Sequence, residues 1–247
     1  MDKAAAQRAL IALGYDIGKG GPSGKGDDGI WGAKSIAACA MFQRGRGLAA
    51  TGALTTETFE VLQAAVAGKP AVAARVVPLD WMPPARMQRI IVHWTAGQHK
   101  ASSLDRGHYH LLIEGDGSLV RGAPSIALND AGGTRMGYAA HTLNCNTGSI
   151  GVSLCCMAGA IESPFRPGPA PMTRQQWEAL PAVLADLCRH YTIPVTPKTV
   201  LSHAEVQGTL GIKQRGKWDI TRLAFDTGVI GARACGELFR RAAAEAL

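Results

Sequence analysis

Near the start of the chain, apolar positions recur at helical spacing in three short stretches separated by glycine. Residues 4–13 carry the first. Residues 33–44 carry the second, with Ile36, Cys39, Ala40 and Phe42 on its apolar side, and the third begins near Thr56 and runs through Phe59, Val61, Leu62 and Ala65. GKGGPSGKGDDGIWG, a glycine-rich loop ending in a tight turn, separates the first two. This predicts a three-helix module over residues 1–68, small enough to be marginal alone.

The pattern then changes. Residues 69–87 are rich in Ala, Val and Pro without clear periodicity and read as a linker leading into an extended segment. RIIVHW follows, a buried strand with His93 near its end. HYHLLIEGDGSLVRG places two apolar runs around Gly115-Asp116-Gly117 and predicts a hairpin; SIGVSLCC predicts another strand. TRQQWEALPAVLADLCRHY predicts a helix opened by a Thr173/Gln176 capping box, with Trp177, Leu180, Leu184, Leu187 and Tyr191 on its core face and a kink at Pro181. KTVLSH is a strand ending at His203, and residues 229–246 form an amphipathic helix. The expectation for 88–247 is an α+β (mixed α/β) domain, a central mixed β-sheet flanked by helices.

Composition narrows the function classes. Hydrophobic residues are 47% and charged residues 18%, ordinary for a chain with a substantial core. Lys+Arg exceed Asp+Glu by 26 to 19, for a net charge of +7, which favours anionic partners. The basic residues are scattered, which argues against nucleic acid as a partner. None of the six cysteines forms a CxxC pair, so a zinc-ribbon site is not expected. Asp2 and Arg8 interrupt the N-terminal apolar residues, so no signal peptide is expected, and no apolar run is long enough to span a membrane. The expected product is a monomer made in the cytoplasm.

Two predicted strands end in histidine, His93 and His203, and imidazoles at the ends of neighbouring strands can converge above a sheet edge. Asp219, in the loop after the second, adds an oxygen. Two histidines and a carboxylate with an open fourth position suit catalytic Zn²⁺. Hydrogen-bonded structural residues at two strand ends remain the alternative. Lys217 stands one spacer before Asp219. His99, His108 and His190 read as solvated or capping residues. Alternation from Tyr109 points His110 to the other face of its strand, as a structural or supporting residue.

From RIIVHWTAG onward, the order of motifs resembles the zinc-dependent N-acetylmuramoyl-L-alanine amidase family, which includes phage lysozyme-like amidases and peptidoglycan recognition proteins. The matching pieces are the strand ending in His93, HYHLLIEGDG, AAHTLNCNTGSIGVSL, the helix over 173–191, and LSHAEV followed by GKWDI, together covering roughly 88–228. The resemblance implies Zn²⁺ held by His93, His203 and Asp219. It implies catalytic roles for Lys217 and Tyr109, and a substrate groove lined by His141, Asn144 and Asn146. Trp94 either flanks that groove or packs in the core. Several relatives carry a glutamate base where this chain has Ser153, and Tyr109 is the expected substitute.

LGYDIG, DDGIWG, FQRGRGL and TGALTTETFEVL in the first 65 residues resemble a three-helix peptidoglycan-binding module. Together the two resemblances imply a peptidoglycan hydrolase that cuts between N-acetylmuramic acid and L-alanine. An endolysin acting on the wall after release fits, with a non-catalytic recognition protein as the alternative.

Overall fold

A computed structural model describes residues 1–67 and 75–247. Residues 68–74, within the expected linker, lie outside the described residues. The chain divides into two compact units, Met1–Arg75 and Val76–Leu247.

The first unit contains α1 (Lys3–Ala12), α2 (Ala33–Gly45) and α3 (Thr56–Val66). Asp2 caps α1 by accepting the Ala5 N–H, and Thr55 caps α3 by accepting that of Thr58. Their core holds Ala6, Leu10, Ala38, Cys39, Phe42, Val61 and Leu62. The expected inner stripe of α2 holds at Cys39 and Phe42 but not at Ile36 or Ala40. Ser35, Ala38, Cys39 and Phe42 point inward, and Ile36 is 43% exposed. Two buried glutamines tie the loops to the helices. Gln7 donates to Asp28, Ile30 and Ser35 and accepts from Gly29 N–H; Gln43 donates to Ala53 and Thr58 and accepts from Gly52 N–H. Gly52 sits at φ +72°, and a Cβ there would meet Ile36 Cγ2 at 2.5 Å.

The second unit is built on β1 (Arg89–Trp94), β2 (Leu111–Ile113), β3 (Leu119–Arg121), β4 (Ser149–Leu154) and β5 (Val200–Ser202). Their order in the sheet is β3-β2-β4-β1-β5. Only the β2–β3 hairpin is antiparallel, so the sheet is mixed as expected. α4 (Ser103–His108) precedes β2, α5 (Arg174–Tyr191) lies between β4 and β5, and α6 (His203–Leu210) follows β5 directly. A hairpin of β6 (Arg222–Leu223) and β7 (Asp226–Ile230) leads to α7 (Ala232–Glu245), so the last helix begins later than its periodicity indicated.

Strand alternation gives this sheet two different faces. Ile90, Val92 and Trp94 of β1 and Ile150, Val152 and Leu154 of β4 join the main core with Leu180, Leu184 and Leu187 of α5 and Phe239 of α7. The opposite face carries Ile91 and His93 beside Gly151 and Ser153, in register. Ile91 and Leu201 pack there against Val206 of α6. One face is filled by aliphatic side chains, and the other keeps room for polar groups.

The linker expectation needs correction over its described part. Val77 and Met82 are buried in the main core, and the Val76 and Val77 N–H groups donate to Asp186 at 2.7 and 3.0 Å. α5 runs unbroken through Pro181 with the expected capping box. α6 was not anticipated, although its signals are in the sequence: Ser202 and Glu205 form a capping box and Gly211 ends the helix at φ +71°. Arg240 of α7 clamps Glu205 at 2.9 Å, so this cation of the last helix is buried at the start of α6. All six cysteines are buried and free.

Candidate metal centre and its groove

β1 and β5 are adjacent and parallel, with Val92 level with Ser202. Their C-terminal ends therefore deliver His93 and His203 to the same edge of the sheet. Asp219 arrives from the loop after α6, followed by Ile220, a buried β-branched residue held at φ +61°. A left-handed backbone at such a residue costs on the order of 1–3 kcal/mol. The strain sits directly beside the carboxylate that completes the cluster.

His93 Nδ1 and His203 Nδ1 each lie 3.2 Å from the same Asp219 oxygen, Oδ2. One ligand atom from each of the three residues falls within 4.8 Å of the others. Tetrahedral donors bonded to zinc at about 2.0–2.1 Å stand about 3.3 Å apart, and the two histidine–aspartate distances of 3.2 Å match that spacing. The charges fit too. Burial pulls His93 down to about 4, against the pull of Asp219, and leaves a neutral imidazole. Burial alone would raise Asp219, but hydrogen bonds with His203 and His93 outweigh it and hold the carboxyl well below its usual range.

The far nitrogens are also engaged. His93 Nε2 lies 3.2 Å from His141 Nδ1, and His203 Nε2 lies 3.0 Å from Gln214 Oε1. His141 is thus buried behind His93, with only an edge on the groove. His110 sits behind His141, donating from Nε2 to Asn129 and accepting the Gly151 N–H at Nδ1. Since Leu112 pairs with Ser153, His110 shares the face of His93 and is a structural partner there. Tyr109 reaches the site from the end of α4, its ring 5.1 Å from that of His93. Burial, with Asp219 close by, pushes its hydroxyl well above the usual phenol range. In the metal-free fold Tyr109 is therefore held as the neutral phenol. Ser153 Oγ, buried near that hydroxyl, completes no hydrogen bond of normal geometry.

Residues 83–219, more than half the chain, match the family described as N-acetylmuramoyl-L-alanine amidase. The chain belongs to this family. Residues 3–62 match a family of peptidoglycan binding domains. No curated protein matches significantly. Similar solved structures include the endolysin amidase LysCS from Clostridium intestinale URNW, at 18% identity and TM-score 0.34, over 56% of this chain and 94% of that one. The amidase AmiD from E. coli, in complex with anhydro-N-acetylmuramic acid-L-Ala-D-gamma-Glu-L-Lys, aligns at 22% identity and TM-score 0.34, over 50% of each chain. The amidase LysC from C. intestinale URNW aligns at 18% and 0.33, over 56% and 96%.

In this amidase the His93–His203–Asp219 cluster is flanked by two cavities. One, of about 410 Å³, is lined by Tyr138, Leu143, Asn144, Asn146, Gln214 and Arg215 among others. A second, of about 260 Å³, is lined by Trp94, Tyr109, Trp218 and neighbours. His203, Arg215 and Lys217 border both. Among the described residues, Lys217 and Arg215 have no hydrogen-bond or ion-pair partner, so both cations are free to meet substrate. Trp94 is 5% exposed, edge-on to Trp218 at 4.7 Å, and borders the smaller cavity. Asn144 is exposed on the groove at φ +54°, while Asn146 accepts the N–H groups of His141 and Thr142 and so shapes the loop. Tyr138, Leu143, Gln214 and Arg215 were not anticipated as lining residues, and no local pattern marks them.

Proposed function

We propose that this amidase holds Zn²⁺ on His93, His203 and Asp219 and hydrolyses the amide joining N-acetylmuramic acid to L-alanine in the intact wall, as an endolysin. The observation that carries the metal assignment is the convergence of two imidazole Nδ1 atoms on one carboxylate oxygen, at 3.2 Å each, beside a free lysine in a groove. Bound zinc would polarise the scissile carbonyl and make a bound water acidic enough to attack at neutral pH.

The chain's own residues do the rest. Asp219, ionised, and His93, neutral, are in the states that metal binding needs. Lys217, at the junction of the two cavities, brings a positive charge to the oxygen that turns negative when the amide is attacked. Tyr109, kept protonated, donates to the same developing charge from the other side of His93. Trp94 and Trp218 form a stiff wall for the smaller cavity. The binding module raises the local concentration of the enzyme on an insoluble polymer. A soluble fragment would need no such anchor, which supports an enzyme that works on the assembled wall.

Digestion of purified peptidoglycan with and without a chelator tests this. New alanine amino termini without new reducing ends, lost on chelation and restored by Zn²⁺, are expected. New reducing ends would mean a different bond. Wall binding without cleavage would make the chain a recognition protein.

A further inference from the structure

We infer that His141 and Gln214 act as a pair that fixes which nitrogen of each ligating imidazole faces the metal. The inference rests on the metal assignment above and goes beyond it, because neither residue touches the ligand cluster through a metal-facing atom. An imidazole can bind a metal through either nitrogen, and the hydrogen bond made by the other nitrogen decides between them.

For His203, the acceptor is an amide oxygen whose orientation is fixed. Gln214 Nε2 donates to the carbonyls of Leu143 at 2.9 Å and Ile212 at 3.3 Å, so Oε1 is the atom left to face His203 Nε2 at 3.0 Å. His203 Nε2 therefore carries the proton, and Nδ1 keeps its lone pair toward Asp219.

For His93, the acceptor is another histidine. His141 Nε2 faces the Ser149 carbonyl at 3.4 Å, which assigns its proton to that nitrogen and leaves Nδ1 as an acceptor. His93 Nε2 lies 3.2 Å from this Nδ1 and 3.4 Å from the Thr142 hydroxyl, the nearer and the farther acceptor for its proton. His93 thus also carries its proton on Nε2 and presents Nδ1 to the cluster. The position of His141 is tightly determined. Its backbone N–H donates to Asn146 Oδ1 at 3.1 Å, and a Cβ on residue 151 would come within 2.6 Å of its ring, so only glycine fits there. Two acceptors of different chemistry, on different loops, thus enforce the same nitrogen choice on both ligands.

The test uses the full chain stripped of metal and titrated with Zn²⁺ against a chromophoric chelator, with Co²⁺ absorption spectra as a second readout. His141→Leu and Gln214→Met should each weaken Zn²⁺ affinity by about 10–100-fold, the usual effect of removing such a partner. His141→Asn, whose Oδ1 can stand where Nδ1 stood, should recover most of that loss and a Co²⁺ spectrum like that of the unaltered chain. Melting temperatures of the metal-free variants separate metal affinity from folding; if His141→Leu does not fold, Gln214→Met and His141→Asn carry the comparison. Affinity unchanged in Gln214→Met and His141→Leu overturns the inference alone, as does His141→Asn binding as weakly as His141→Leu. An unaltered chain that takes up no Zn²⁺ overturns the metal assignment and this inference with it.

Discussion

In the N-terminal unit, Gln7 and Gln43 are buried to 1% and 2% exposure, and each side-chain amide has a partner for both its N–H groups and its oxygen. In the second unit, His93 and His203 are buried to 0% and 3%, yet their Nδ1 atoms and an Asp219 oxygen crowd one point. The glutamines close a loop and leave nothing over. The two histidines bring their Nδ1 atoms to one Asp219 oxygen from the ends of separate strands, three potential ligand atoms aimed at a common centre. Burial alone does not separate architecture from chemistry. The separation comes from counting donors against acceptors at the point of convergence. His110 belongs with the glutamines although it stands 5.7 Å from His141: its partners are Asn129 and the Gly151 N–H, and neither nitrogen faces the carboxylate.

The comparison breaks most visibly if Asp219→Ala still binds metal. The expected result is that Zn²⁺ uptake, read by elemental analysis, and peptidoglycan hydrolysis fall together to background. Lys217→Ala should keep the metal while kcat on a muropeptide drops by ~10²–10³, the usual loss of an oxyanion partner. A Lys217→Ala enzyme that lost its zinc would place the lysine in the cluster instead of the groove. A pH series sharpens the histidine side. His93 and His110 sit near 4 in the folded chain, against an ordinary value of 6.5, so the unfolded chain binds more protons between those limits. The chelated protein should hold its full stability above about pH 6.5 and lose it as pH falls toward 4. A melting temperature flat across that window would show that these rings are not held neutral. The smallest effect belongs to the glutamine side. Gln43→Leu leaves the Gly52 N–H and Ala53 carbonyl without their partner and should cost about 1–3 kcal/mol by calorimetry, with kcat on a soluble muropeptide unchanged.

Much of the site was legible because parallel strands leave a simple trace. Ile90-Ile91-Val92 and Val200-Leu201 are short apolar runs, each followed closely by histidine, and parallel pairing carries both histidines to one edge. SIGVSL holds a further signal that was read only as a strand: Ser149, Gly151 and Ser153 alternate with Ile150, Val152 and Leu154, marking one face for polar neighbours. The capping box and terminal glycine of α6 are legible in the sequence, inside a stretch whose glycines and basic residues otherwise point to a loop. Other features depend on contacts that leave no local trace. Val77 and Met82 lie in a proline-rich stretch without periodicity, and only the core they fill identifies them. Ile36 fits a helical stripe in sequence, but Ser35 takes the inner position because Gln7 needs an acceptor there. The placement of His141 behind His93 depends on a glycine two strand positions away from Ser153, and ring geometry of that kind is not written in spacing.

His93 and Asp219, two members of the candidate metal site, are separated by 126 residues. On a ribosome adding about 5–20 residues per second, roughly 6–25 s pass between the two. Throughout that interval the growing chain has at most a pair of histidines, and any product truncated before Asp219 lacks the carboxylate altogether. A metal ion held by all three residues could therefore not guide the early steps of folding here. It can only reward a sheet that has already paired β1 with β5 and received the loop that follows. The cluster is complete only once Asp219 has been made, and chains that stop short of it lack one of its three members.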